Sequence, residues 1–447
     1  MTDVIARASK LVTPSPTEKE KLESVSRKVK SRVESSLLET APVPEVSLGG
    51  SFARGTWLKG SHDIDFFLLY PTDYPRNNLE REAISTAERA LHGYQINLRY
   101  AEHPYVEGFV ENVRVNIVPC YKVPIGEWKS AADRSPFHTK YISSKLDEAL
   151  KLEARLFKKF VKASGVYGAE VKIQGFSGYV CEVLVLKYGS FASTLRGLAS
   201  IKPNEVVSIE PYDNVLAALL KSPIVILDPV DTTRNLGAAI SARNVAKLVF
   251  QARRFLAKPK LSFFVEKEVD GTPSMELAAR TLVVRFKNSK RSPDILWGQL
   301  RKSTYSISSK LKSAGFEVLR CGAASNESSE SAFLFLFSDL KIGRVHSRSG
   351  PEYFRADEVQ NYFIRNRGKA LATWIDEDGR VESVYFRKFD RASDALKDLL
   401  TSKLESAGVS EELRSEIAKG VRILNATHLV RKKDWLGKAA SAITSEE

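Results

Sequence analysis

From Glu18 to Leu38 the chain is charged, with apolar residues at Leu22, Val25, Val29, Val33 and Leu37. Those spacings of three and four gather the apolar residues on one face, which predicts a helix. Pro42-Val43-Pro44 ends it, and a short strand through Val46 and Leu48 breaks at Gly49-Gly50. Asp63–Tyr70 reads as a strand. So does Gly108–Tyr121, in which Val113, Val115 and Ile117 alternate with Arg114 and Asn116. From Lys145 the period becomes helical. Leu152, Leu156 and Phe160, with Phe157 and Val161 a turn offset, form a stripe that stops at Gly165. Further helices are predicted at Ser177–Tyr188 and Ala242–Leu256, with Pro259 marking a boundary. Strands at Thr281–Phe286, Phe316–Arg320 and Ala332–Phe337 flank a helix at Leu300–Ser313, and helices return at Ala392–Leu404 and Ser410–Leu424.

Composition narrows the class. The 447 residues carry 68 Lys and Arg against 54 Asp and Glu, a net charge of +14, and 43% are hydrophobic. That is a globular multidomain chain with an excess of cations, which points to a polyanionic partner. No apolar run reaches the ~18–20 residues of a membrane span, and no basic stretch leads into an apolar core at the start. We therefore expect no membrane and a cytoplasmic location. The three cysteines, Cys120, Cys181 and Cys321, are too far apart for a disulfide framework or a zinc knuckle.

One segment concentrates chemistry. Gly49-Gly50-Ser51-Phe52-Ala53-Arg54-Gly55 is a small-residue turn whose amides and Ser51 hydroxyl can grip phosphate oxygens, with Arg54 adding a bidentate contact. Asp63 and Asp65 follow on the strand Asp63-Ile64-Asp65-Phe66, one residue apart and so on one face. Two carboxylates that close repel unless a divalent cation lies between them, and hard oxygens with open positions suit Mg²⁺ bridging to a nucleotide triphosphate.

The order Gly-Ser, then Asp-Ile-Asp, resembles the nucleotidyltransferase superfamily typified by DNA polymerase beta. Gly50-Ser51-Phe52-Ala53-Arg54-Gly55-Thr56-Trp57-Leu58-Lys59-Gly60-Ser61 is more closely similar to the archaeal, class I CCA-adding enzymes, the tRNA nucleotidyltransferases. The likeness continues through Tyr100–Val106, Val118–Tyr121, Asp133–His138, Tyr167–Glu170, Gly175–Tyr179 and Asp228–Asp231 with Arg234-Asn235.

The resemblance implies an α+β multidomain fold with a polymerase beta-like nucleotidyltransferase head (1–144) and a helical neck (145–222). A mixed body would follow (223–280 plus about 385–447), with an α+β tail (281–384). It also implies addition of C, C and A to a tRNA 3′ end from CTP and ATP without a template. Body and tail would hold the acceptor and TΨC arms, and a homodimer is the expected assembly. Residue by residue, Asp63 and Asp65 match the first two metal carboxylates. Ser51, Arg54, Ser135, His138, Lys158 and Tyr167 match phosphate contacts. Arg234 matches the reader of the base edge, and His103 borders that pocket.

The third carboxylate of that pattern is missing. Val115-Asn116-Ile117-Val118-Pro119-Cys120-Tyr121 carries Asn116 where the family has Asp, on the strand face opposite Val113, Val115 and Ile117. Asn is nearly isosteric with Asp but neutral, a poor base and a weaker metal ligand. We read it as an engineered exchange that leaves nucleotide binding intact and impairs catalysis, a natural variant or degenerate enzyme being the alternative. Two other functions stay open: a poly(A) or RNA-tailing nucleotidyltransferase, and a catalytically dead RNA-binding module.

Other signals carry less. Gly175–Tyr179 has the outline of a nucleophile elbow but ends in Tyr and sits in a helical context. The six histidines form no His-x-x-x-His pair, and no P-loop run exists. Arg285, Lys287, Lys290 and Arg291 make one basic cluster. Lys341, Arg344, Arg348, Arg355, Arg365 and Arg367 make another, interleaved with Tyr353, Phe354, Tyr362 and Phe363. The second suits an RNA surface, unless Phe354, Tyr362 and Phe363 belong to a core.

Overall fold

Two helices open the chain in the computed structural model, which describes residues 1–37, 43–100, 102–266 and 272–445. Helix α1 (Thr2–Val12) precedes α2 (Pro16–Ser35), whose start is a capping box: the Ser15 hydroxyl accepts from the Glu18 amide, and the Glu18 carboxylate takes the Ser15 amide. Leu38, the end expected for this helix, lies outside the described residues. The stripe Leu22, Val25, Val29 and Val33 is buried as its spacing requires.

Strand β1 (Glu45–Gly49) runs into a single turn, α3 (Gly50–Ala53), ahead of β2 (Asp63–Tyr70). Helix α4 (Arg76–Ala90) then leads to β3 (Gln95–Tyr100), β4 (Pro104–Val110) and β5 (Val113–Tyr121). The sheet order is β1-β2-β5-β4-β3, with β2 and β5 parallel and every other pair antiparallel. Helices α2 and α4 cover one face, where Leu22, Val25, Leu79 and Ala83 pack on Ile64, Phe66, Val113, Val115 and Ile117. The single strand expected over Gly108–Tyr121 is a hairpin. Glu111 and Asn112 both have positive φ, 51° and 63°, the backbone of a tight turn matched to strand twist. Apolar residues flank the turn on both sides, so alternation alone does not reveal it.

The same unit, Met1–Lys267, continues with α5 (Arg134–Lys145), α6 (Glu148–Ala163), α7 (Gly178–Tyr188) and α8 (Phe191–Ser200). A small sheet follows, of β6 (Val206–Val207), β7 (Val225–Asp228) and β8 (Asp231–Asn235), with α9 (Asn214–Leu219) between β6 and β7. Helix α10 (Ala242–Ala257) closes it. Phe160 on α6 lies at the centre of this second core, its ring 5.7–6.1 Å from those of Phe191, Phe255, Phe263 and Phe264.

The second unit, Glu268–Glu447, begins with α11 (Met275–Ala279), β9 (Thr281–Lys287), α12 (Pro293–Ser313), β10 (Val318–Ser325) and β11 (Glu330–Phe337). Then come β12 (Val345–Glu352), α13 (Ala356–Asn366), β13 (Ala372–Ile375) and β14 (Arg380–Phe386). The chain ends with α14 (Ala392–Thr401), α15 (Glu411–Ala418), β15 (Val421–Asn425) and α16 (Trp435–Thr444). One sheet has the order β10-β11-β9-β15, the other β12-β14-β13. The helix expected over Ser410–Leu424 stops at Ala418. Gly420 takes φ 133°, and Val421–Asn425 pairs antiparallel with β9 instead. That ladder joins residues 281–287, expected in the tail, to residues 421–425, expected in the body. Among the described residues no helix is long and apolar enough to cross a membrane.

Phe160→Ala removes the ring that four others meet, so unfolding of the first unit should be easier by about 3–5 kcal/mol. Chemical denaturation followed by near-ultraviolet dichroism measures it.

Candidate active site

The face of the first sheet away from α2 and α4 carries Asp63, Asp65, Arg114 and Asn116 near the start of β2 and the first half of β5. Parallel pairing sets Asp63 beside Arg114 and Asp65 beside Asn116. The Asn116 amide donates to Asp65 Oδ1 at 2.8 Å. Arg114 grips Asp63 with two parallel bonds, Nε to Oδ1 and a terminal nitrogen to Oδ2, each 2.8 Å. Burial, opposed by the Asn116 amide and reinforced by the Asp63 charge, pushes the Asp65 carboxyl above the ordinary aspartate range.

The preceding turn is shaped by these carboxylates. Gly50 has φ 70°, and a Cβ there would fall 1.8 Å from Asp65 Oδ2; one at Gly49 would enter the Phe67 ring at 2.3 Å. Only glycine leaves that oxygen uncovered. Two hard carboxylates on one face, with an open side kept by Gly50, fit a divalent cation. Asn116 adds a neutral donor set rather than a third charge, and among the described residues no three His, Cys, Asp or Glu gather as a metal-binding group.

Ser51 sits in α3, half-buried. Arg54 follows, buried, with Nε 2.8 Å from Glu182 Oε2 on α7. Glu182 Oε1 takes Lys158 Nζ at 2.6 Å and the Thr56 hydroxyl, and Lys158 also donates to Thr56 Oγ1 at 2.9 Å. Lys158 and Glu182 are 1% and 0% exposed. The structure thus ties two of the expected phosphate cations, Arg54 and Lys158, to one buried carboxylate. Burial alone would raise the Glu182 carboxyl, but Arg54 and Lys158 hold it below the ordinary range. The Tyr167 hydroxyl lies beside Gly178, where a Cβ would come within 2.8 Å of it, and close enough to Glu182, Arg54 and Asp63 to feel their charges.

A second buried carboxylate, Asp228, gathers the other group. His138 Nε2 is 2.8 Å from Oδ2, Arg234 donates to the same oxygen at 3.2 Å, and the Tyr179 hydroxyl donates to Oδ1 at 3.0 Å. The His138 and Tyr179 rings stack at 4.0 Å. Arg234 keeps 38% of its side chain exposed, enough to meet a ligand while Asp228 orients it. Ser135 lies in the first turn of α5, half-buried. His103 has a different setting: its Nδ1 is 2.9 Å from Glu80 of α4 and its ring meets Tyr121 edge-on.

Sequence reasoning gave no role to Glu182, to Asp228 within the Asp228–Asp231 match, or to Arg114. A lone carboxylate inside Tyr179-Val180-Cys181-Glu182-Val183-Leu184-Val185 is a signal, because a charge in an apolar helix needs partners. The parity that singled out Asn116 applies equally to Arg114.

Three family models match in series: a nucleotidyltransferase domain over residues 26–142, the second domain of tRNA nucleotidyltransferase over 152–265, and the C-terminal domain of CCA-adding enzymes over 278–426. The CCA-adding enzyme of Methanopyrus kandleri is 34% identical, covering 98% of this chain and 96% of that protein. Those of Saccharolobus shibatae and Pyrobaculum neutrophilum are 35% and 36% identical, covering 89% and 79% of this chain and 92% and 82% of theirs.

Glu182→Ala strands two buried cations, so the folded state should lose about 3–5 kcal/mol. Because the Glu182 carboxyl is lowered on folding, its stabilisation is complete above the unfolded pKa and is lost as pH falls through the lower folded value. The parent's resistance to denaturation should therefore fall with acid more steeply than that of a Glu182→Gln variant.

Proposed function

The chain belongs to the archaeal CCA-adding enzyme family, and from that premise we propose how its catalytic face works. The activity is template-independent addition of C, C and A to the 3′ end of tRNA from CTP and ATP, with release of pyrophosphate. The near-full-length likeness favours neither an RNA-tailing polymerase nor a dead RNA-binding module.

Asp63 and Asp65 would hold the divalent cation that the family uses, in our reading Mg²⁺. When bound, it supplies charge neutralisation at the α-phosphate and acidifies the attacking 3′-hydroxyl. The chain's own residues do the rest. The Gly50-Ser51 turn and the terminal nitrogens of Arg54 meet the triphosphate, with Tyr167, Ser135 and His138 beside them; Lys158, expected as a phosphate contact, is 1% exposed and countercharged by Glu182, so it braces the turn through Thr56 instead. Arg234, braced by Asp228, reads the Watson–Crick edge of the incoming base, with His103 at the border of that pocket. Most of the rate comes from positioning and fixed charge.

The observation that carries the catalytic reading is the β2–β5 register, which pairs Asp65 with Asn116. An amide there donates to Asp65 instead of sharing a cation with it, and it takes no proton from the 3′-hydroxyl. Addition is therefore slow although nucleotide binds.

Head, neck, body and tail remain our working division; because β15 pairs with β9, we move β9–β11 from the expected tail (281–384) to the body and keep β12–β14 with α13 in the tail. In that tail Phe354 and Phe363, two of the three aromatics a core could have claimed, are exposed at 65% and 39%, as is Tyr353 at 67%, while Tyr362 is half-buried. Beside them Arg344, Arg348, Arg355, Arg365 and Arg367 are also exposed, which supports contact with the acceptor and TΨC arms of tRNA. A cytoplasmic homodimer completes the proposal.

On a tRNA lacking its terminal CCA, Asn116→Asp should raise kcat on the order of a hundredfold with little change in the KM for CTP. Equal rates for the two proteins would remove Asn116 from the chemistry. Arg348→Glu with Arg365→Glu should weaken tRNA binding and lower its salt slope by roughly one per lost phosphate contact. Filter binding at several salt concentrations reads both.

A further inference from the structure

One cation on the catalytic face has no part in the scheme above. The Arg114 guanidinium stands among three carboxylates. It makes its two 2.8 Å bonds to Asp63, its remaining terminal nitrogen is 3.9 Å from Glu107 Oε2, and the Asp65 charge is near enough to act on it. Strand register dictates the grouping. Arg114 is opposite Asp63 across β2–β5, and Glu107 is opposite Asn116 across β4–β5, so all share one face.

The surroundings of the two acids differ. The Asp63–Arg114 pair is at the water boundary, with side chains 32% and 45% exposed. Glu107 is 6% exposed and anchored from the far side, its Oε1 receiving Arg99 at 2.7 and 3.1 Å and Asn97 at 3.3 Å. Its second oxygen faces Arg114.

We propose that Arg114 is a positioning residue of the cation site: an internal cation that neutralises and orients Asp63, and that shifts onto Glu107 when a divalent cation engages Asp63. This rests on the reading of Asp63 and Asp65 as cation ligands. The fork of Arg114 addresses both oxygens of Asp63, and a guanidinium in contact with that carboxylate repels a dication seeking the same one. Cation binding must therefore separate the pair. The separation is brief in distance because Glu107 already waits on the same face. Arg114 thereby sets the divalent-cation concentration that the enzyme requires.

The test is a titration of the full chain with Mn²⁺, followed by electron paramagnetic resonance, alone and with an unreactive CTP analogue. Arg114→Ala should tighten the apparent Mn²⁺ dissociation constant about tenfold. Arg114→Lys, which keeps the charge but not the fork, should fall between it and the parent. Glu107→Gln should weaken Mn²⁺ binding more in the parent than beside Arg114→Ala, since only the parent needs the second station. The Mg²⁺ needed for half-maximal addition should fall in Arg114→Ala as well. Circular dichroism establishes that each variant is folded, and Arg114→Lys preserves a charged side chain if the alanine variant is not. Unchanged or weaker Mn²⁺ binding in folded Arg114→Ala, or in Arg114→Lys where the alanine variant does not fold, overturns the proposal. Asp63→Asn separates the two layers of the argument: if it leaves Mn²⁺ binding untouched, the ligand reading itself fails.

Discussion

A carboxylate with no water around it has to find its countercharges inside the protein. Glu182 finds Arg54 and Lys158, and the first unit is organised around that need. The acid comes from α7, one cation from α6, and the other from the turn that leads out of α3 toward β2. An ion pair this deep adds little net stability over an apolar replacement, because desolvation offsets attraction. Its value lies in geometry. Three elements are held in one register, and two cations are fixed where a flexible surface lysine would wander.

The catalytic face manages charge the other way. Asp63 and Arg114 meet at the water boundary, where separating them costs less than breaking a buried pair. Asp65 is half-buried against an amide that can satisfy one oxygen but cannot balance its charge. The first unit therefore combines a rigid buried ion cluster with a charge pair at the water boundary. Asp228 repeats the rigid device for Arg234, using one buried acid to orient a half-exposed cation.

Much of this was legible in advance because it depends on local periodicity. The strand Asp63–Tyr70 has the limits read from the sequence, and parity places Asp63 and Asp65 on one face of it; the β2–β5 register adds Asn116 to that face. Where reading failed, a long-range effect had won. Glu111 and Asn112 turn the chain inside a run whose alternation continues on both sides. Val421–Asn425 is a strand only because β9 offers it a free edge.

The sequence by itself determined the family, the helical and strand periods, and the set of residue types that chemistry could use. Each of these is written in neighbours a few positions apart, which geometry along one strand or helix converts directly into a face. Only the tertiary structure decided who partners whom. Lys158 meets an acid 24 residues away, Thr56 one 126 residues away, and Asp63 a guanidinium 51 residues away. Such pairs are selected by burial and by charge balance over the whole unit, quantities that no local window of the chain contains.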